Sequence, residues 1–137
     1  MDRHFLLAIA AYLFPTFILG YVWHLVAFKA RYERLAVYRP DVVIPLGLAS
    51  MLTQALVYAW VYPRLFSTAT DAWVGSAIQF AVVFAAIAWS YSTLAVAAKH
   101  RMSSVVSFVV IETAFTVVHF VVVSPLIALS YRGATPL

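Results

Sequence analysis

Glu112, Thr116 and His119 recur at i, i+4 and i+7 inside one long apolar run, which sets a carboxyl, a hydroxyl and an imidazole on a single helix face. A charged Asp, Lys or Arg at the centre of a spanning helix costs roughly 2.5–3.5 kcal/mol to insert, so such a group usually faces a partner or a cavity. Glu112 is the only acid within any apolar run of this chain. Two chemistries suit it. It is either a carboxyl bonded to Gln54 or Ser90 that holds helices in register, or an acid that moves protons or binds a polar ligand. His119 carries the same choice between a satisfied bundle histidine and a ligand or proton relay. The ligand or proton candidates are therefore Glu112, His119, Gln54, Ser90 and His24.

Other chemistries are disfavoured. The chain has no cysteine, which excludes disulfides, thiol catalysis and thiolate metal sites. Glu112 and His119 stand about 10 Å apart along a helix, too far to share an ion, and the Glu–His spacing of four-helix di-metal sites is missing. No HExxH, GxSxG or Gly-rich phosphate loop occurs. A bis-histidine haem needs both ligands at one depth, whereas His24 and His119 differ by about 20 Å in depth when counted from their span ends. The sequence predicts no metal, no cofactor and no catalytic residue.

The elements that must position these groups are membrane spans. Of 137 residues, 65% are hydrophobic and 10% charged, with mean hydropathy +0.95. A soluble domain keeps about 25% charged residues, so the solvent here is lipid. Four apolar runs, Phe5–Phe28, Val42–Tyr62, Ala72–Ala98 and Met102–Tyr131, are each long enough to cross a bilayer. The first exceeds a signal-peptide core and carries Trp23–His24 where a cleavage site needs small residues, so it reads as a retained helix. The expected fold is an all-α antiparallel bundle of four transmembrane helices, a single domain over residues 1–137.

The formal charge of +4 sits in the connections. Lys29, Arg31, Arg34 and Arg39 in the first, with Lys99 and Arg101 in the third, face Arg3, Arg64 and Arg132 on the other side. This six-to-three asymmetry predicts both termini outside and the two basic loops in the cytoplasm, against anionic lipid and not nucleic acid. Trp23, Trp60, Trp73 and Trp89, with Tyr21, Tyr38, Tyr58, Tyr62, Tyr91 and Tyr131, fall near span ends and read as interfacial belts. Phe28, Tyr32 and Leu35 recur at i, i+4 and i+7, which predicts a short helix lying on the headgroups, ended by Pro40, with Asp41 capping the second span. Pro15 and Pro125 each free one backbone carbonyl inside a span.

At 100° per residue every span gathers a small or polar stripe. The stripes are Tyr12, Thr16, Gly20, Trp23 and His24; Gly47, Ser50, Met51, Gln54 and Tyr58; Gln79, Ala86, Ser90, Thr93 and Ala97; and Glu112, Thr116 and His119. All four are expected to turn inward. Counted from the cytoplasmic side, Glu112 lies ~15 Å deep, Gln54 ~18 Å and Ser90 ~12 Å, which predicts that those three meet. His24 lies at only ~6 Å on the same count.

The stretch FPTFILGYVWHLVAFKARYERLAVYRPDVVIPLGLASMLTQ (Phe14–Gln54), with SYSTLAVAAKHRMSS and VVIETAFTVVHFVVVSPL later, resembles a bacterial family of small four-helix membrane proteins of unassigned function. The shared features are a Gly–x–x–Trp near the end of the first helix, a basic first loop and a polar-studded fourth helix. The resemblance implies the four-helix architecture, a bacterial inner-membrane setting and no catalytic residues to carry over. The leading expectation is a non-catalytic integral membrane protein, either a self-associating homo-oligomer or an accessory subunit of a larger membrane complex, with a polar interior around Glu112. The alternatives are a small proton-linked carrier of a polar or amphipathic ligand, and a membrane enzyme acting on a lipidic substrate.

Overall fold

Inside a bilayer no water satisfies backbone groups, so a chain this apolar has to bond them within helices. The computed structural model describes residues 2–135, and the outermost residues of the predicted domain, 1, 136 and 137, lie outside the described residues. Helix α1 (Arg3–Tyr21) runs into a π-helical turn, Val22–Ala27, and then α2 (Lys29–Leu35). Helix α3 (Ile44–Leu65) and helix α4 (Trp73–Trp89) follow. A second π-helical turn, Ser90–Leu94, links α4 to α5 (Ala95–Lys99), and α6 (Val105–Ser130) ends the fold. The four continuous spans hold 25, 22, 27 and 26 residues. At 1.5 Å per residue each is longer than the ~30 Å hydrocarbon core. The protein is an all-helical, four-span membrane bundle.

Local chemistry fixes the helix ends. Asp2 caps α1 by accepting the His4 amide, and Ser104 caps α6 by accepting the Ser107 amide. Pro45 stands in the first turn of α3, where its missing N–H costs nothing. Asp41 does not cap that helix. It pairs with Arg39 at 2.9 Å instead, because α3 begins only at Ile44, beyond the reach of its carboxylate. Both α1 and α6 stay helical across Pro15 and Pro125.

Helix α1 packs between α3 and α6, and α6 packs between α1 and α4. The contact of α3 with α4 is made by rings. Tyr58 meets Phe80 and Phe84 at 5.3 and 4.8 Å between centroids, and Tyr62 meets Phe80 at 5.6 Å. Tyr131 stacks on Tyr62 at 5.5 Å and donates its hydroxyl to the Ala59 carbonyl at 2.5 Å. Tyr58, Tyr62 and Tyr131 are thus core residues, not interfacial belt residues. Ring packing supplies dispersion contact that small polar side chains cannot, and in lipid such packing drives helix association.

That aromatic core also overturns part of the stripe expectation. The α1 and α6 stripes do turn inward, with Tyr12, Thr16, Glu112, Thr116 and His119 all buried. On α3 Met51, Gln54 and Tyr58 face the bundle, while Gly47 and Ser50 are exposed. On α4 Thr93 is buried, but Gln79, Ala86 and Ser90 are exposed. The inward faces of α3 and α4 are already filled by Tyr58, Tyr62, Phe80 and Phe84, so the small and polar residues on the other side of each helix turn out.

The loops at each end are tied down. At the end holding both termini, the His4 Nδ1 donates to the Ser130 carbonyl at 2.7 Å. There the Thr68 carbonyl accepts the Gly133 amide at 2.7 Å, with Gly133 at φ +75°. At the other, basic end, Ser103 donates its amide to the Leu35 carbonyl at 3.0 Å and its hydroxyl to the Arg34 carbonyl at 2.8 Å. The Phe28–Tyr32–Leu35 stripe therefore faces protein, not headgroups: Tyr32 and Leu35 are buried against Phe108 and Ile111 of α6. Helix α2 is a cap on the bundle.

The cap carries one strained residue. Ala36 ends α2 at φ 53°, a left-handed conformation that costs a Cβ-bearing residue roughly 1 kcal/mol. Ala36→Gly should relieve this and stabilise α2 by about 0.5–1 kcal/mol net of the extra unfolded-state freedom of glycine. Slower amide hydrogen exchange at Ala36 and Ser103 would register the gain, and faster exchange would contradict it.

Candidate functional site

Docking of α2 beneath α6 builds a polar centre around Glu112, which is 5% exposed. Tyr32 donates its hydroxyl to Glu112 Oε1 at 2.6 Å, and Tyr38 donates to the same oxygen at 3.2 Å. His24 Nε2 stands 3.4 Å from it. Burial, and then the neighbouring Glu112, push the Tyr32 phenol well above its ordinary range, and the same two causes raise Tyr38. Both therefore remain hydroxyl donors throughout the physiological range.

The π-helical turn at Val22–Ala27 positions His24. Its Nδ1 donates to the Gly20 carbonyl at 3.0 Å, one of the carbonyls left over where the helix widens. A carbonyl only accepts, so Nδ1 carries a hydrogen. That leaves Nε2 turned toward Glu112 Oε1. The His24 ring packs between the rings of Tyr32 at 4.8 Å and Phe115 at 4.6 Å.

The predicted layer of Gln54, Ser90 and Glu112 does not form. Gln54 accepts the Tyr12 hydroxyl and donates to Ser50 Oγ at 3.0 Å. Ser90 is exposed and donates to the Ile87 carbonyl of its own helix at 2.7 Å. Two causes account for the miss. Helix α6 begins at Val105 rather than at Met102, which sets Glu112 only ~10 Å into its span, level with His24 rather than with Gln54. Ser90 then lies on the outward side of α4.

His119 belongs to a second centre deeper in the bundle. Its Nε2 bonds Thr16 Oγ1 at 2.8 Å, and its ring packs edge-on to Tyr12 at 5.5 Å. His119 thus touches Tyr12 through its ring, and Tyr12 bonds Gln54, which bonds Ser50, so one file of contacts crosses from α6 through α1 to α3. Phe115 separates this file from the Glu112 centre, lying 4.6 Å from His24 and stacked 5.6 Å from His119.

Sequence reasoning named His24, Glu112, His119 and Gln54 but missed Tyr32, Tyr38, Tyr12 and Thr16 as their partners. For Tyr12 and Thr16 a signal existed: His4, Ala8, Tyr12, Thr16, Gly20 and His24 repeat every four residues, the ridge that one helix presents to another. Tyr38 carried no such signal, being in a loop. Two surface recesses are lined by Ala85, Ala86, Trp89, Thr113, Thr116 and Val117, and by Pro63, Phe66–Thr70, Gly133 and Ala134. Neither recess is lined by Glu112 or His119. Compared with protein-family models, curated proteins and solved structures, the chain matches none.

Proposed function

We propose that this protein is a non-catalytic integral membrane bundle that associates through its α3–α4 face, as a homo-oligomer or as an accessory subunit of a larger membrane complex. The observation that carries the reading is the outward stripe of Gly75, Gln79 and Ala86 on α4, continued by Ser90 in the π-helical turn, with Gly47 and Ser50 also exposed on α3. Nothing lies within 4 Å of where a Cβ would stand on Gly47 or Gly75. An amide facing lipid is unfavourable, and small residues let a second helix approach closely enough to satisfy it. The Glu112 centre fits a structural part in the same reading, since its oxygen is already met by two hydroxyls and an imidazole.

The setting belongs to the same proposal: a bacterial inner membrane, both termini outside and the basic loops in the cytoplasm, as the charge asymmetry and the family resemblance imply. A cysteine-free chain makes the test direct. Single cysteines at Gly75, Gln79 and Ala86 should form disulfide-linked dimers on mild oxidation in native membranes. Cysteines at Phe14 and Ile18, which face lipid from α1, should not. In the same panel Ser67→Cys should react with an impermeant maleimide from outside and Arg101→Cys should not. Cross-linking that is absent, or equal at α1 and α4, would dismiss the homo-oligomer and leave the accessory subunit, and reversed labelling would invert the orientation.

A second reading, the proton-linked carrier, draws on the file from His119 to Ser50, because it ends at an exposed hydroxyl. The behaviour of Glu112→Gln in the cell separates the two.

A further inference from the structure

The six basic residues of the basic end are not equivalent once the chain is folded. Lys29 pairs with Glu33 at 3.8 Å, and Arg39 pairs with Asp41 at 2.9 Å. The Arg39 guanidinium holds the Asp41 carboxyl below its usual range, as an engaged ion pair does. These pairs use both acids of the first loop. Among the described residues, Arg31, Arg34, Lys99 and Arg101 have no acidic partner, and all four are exposed.

The fold then gathers those four. With Tyr32 and Leu35 turned toward α6, the Lys29–Glu33 pair falls on one flank of α2 and Arg31 with Arg34 on the other. Arg31 and Arg34 are three residues apart, hence neighbours on the helix surface, and a like-charged pair at that spacing is destabilising unless an anion lies between. Ser103 clamps the third loop onto the Arg34 and Leu35 carbonyls. That clamp brings Arg101 within about 7 Å of chain from the junction, with Lys99 two residues before it. Two loops separated by more than sixty residues in sequence, as the Arg34–Ser103 bond shows, end up presenting one cationic platform. The platform sits where the spans leave the hydrocarbon, at headgroup depth.

We infer that the α2–loop three junction is a binding site for one anionic phospholipid headgroup, with Arg31 and Arg34 grasping the phosphate and Lys99 and Arg101 flanking it. Arginine suits this task because its planar fork meets phosphate oxygens two at a time. The site goes beyond the association proposed above and does not depend on it.

Native mass spectrometry of the full chain in a neutral detergent, titrated separately with phosphatidylglycerol and phosphatidylcholine, tests the inference. The first phosphatidylglycerol should bind at least tenfold tighter than phosphatidylcholine. Arg31→Gln/Arg34→Gln should weaken phosphatidylglycerol by about thirty-fold and leave phosphatidylcholine unchanged, since each cation near an anionic surface contributes about fivefold. Lys99→Gln/Arg101→Gln should weaken it in the same direction. Lys29→Gln/Arg39→Gln should change it by less than about threefold, because those cations are already paired. All these side chains are exposed, and unchanged circular dichroism would certify the fold of each variant. Equal binding of the two lipids, an equal loss in the Lys29/Arg39 variant, or displacement of phosphatidylglycerol by stoichiometric inorganic phosphate would each overturn the assignment.

Discussion

Glu112→Leu should release the cap. The substitution leaves the Tyr32 and Tyr38 hydroxyls and the His24 imidazole facing an apolar side chain, and each buried polar group stranded in this way costs about 1–3 kcal/mol. Tyr38 and His24 reach water in part, so the expected loss is about 3 kcal/mol rather than the full sum. It should appear first in α2, as fast amide exchange at Ser103, whose donor to Leu35 depends on the docked cap. Glu112→Gln should be milder, at about 1 kcal/mol. Its amide can accept from the tyrosines through oxygen or donate to His24 Nε2 through nitrogen, but the single oxygen position cannot serve both. In the cell, a folded Glu112→Gln protein that keeps the wild-type phenotype supports the structural reading. A folded Glu112→Gln protein with the deletion phenotype assigns the Glu112–His24 contact an active part and favours the carrier.

Phe80→Ala should open the other half of the bundle. Phe80 is fully buried and touches Tyr58, Tyr62, Phe66, Phe84 and Phe120, so it is the ring through which α3 and α4 meet. Phe→Ala in a water-soluble core costs about 3–5 kcal/mol. In a bilayer the unfolded reference keeps the ring in lipid, so the transfer part largely cancels and the packing part is left, about 2–3 kcal/mol. Phe80→Leu should cost about 1 kcal/mol, since most of the volume is retained. Unfolding midpoints in mixed micelles would order the three proteins. A Phe80→Ala protein as stable as the wild type would show that α3 is held without the Phe80 ring.

The two variants probe opposite ends and should be nearly additive, because Phe80 and Glu112 share no contact. Their difference in kind follows from what each end is made of. The end with the termini is packed by rings. The basic end adds to its smaller apolar cluster hydrogen bonds to one carboxyl and the Ser103 clamp.

The sequence by itself determined the four spans, their helical state and the inward faces of α1 and α6. Lipid offers the backbone no hydrogen bonds, so an apolar run of more than twenty residues has one solution, and polar residues at helical spacing mark the face that avoids lipid. Glu112 and His119 were legible for that reason, as interior groups. Only the tertiary structure decided what they touch. Tyr32 stands 80 residues from Glu112 in sequence, His24 is farther still, and Tyr38 lies in a loop without periodicity, all beyond any pattern that spacing can reveal. The inward faces of α3 and α4 were equally hidden. Between helices in lipid there is no hydrophobic force to sort polar from apolar, so the better-packing surface turns in, and there the rings of Tyr58, Tyr62, Phe80 and Phe84 outcompeted Gly47, Ser50, Gln79 and Ser90.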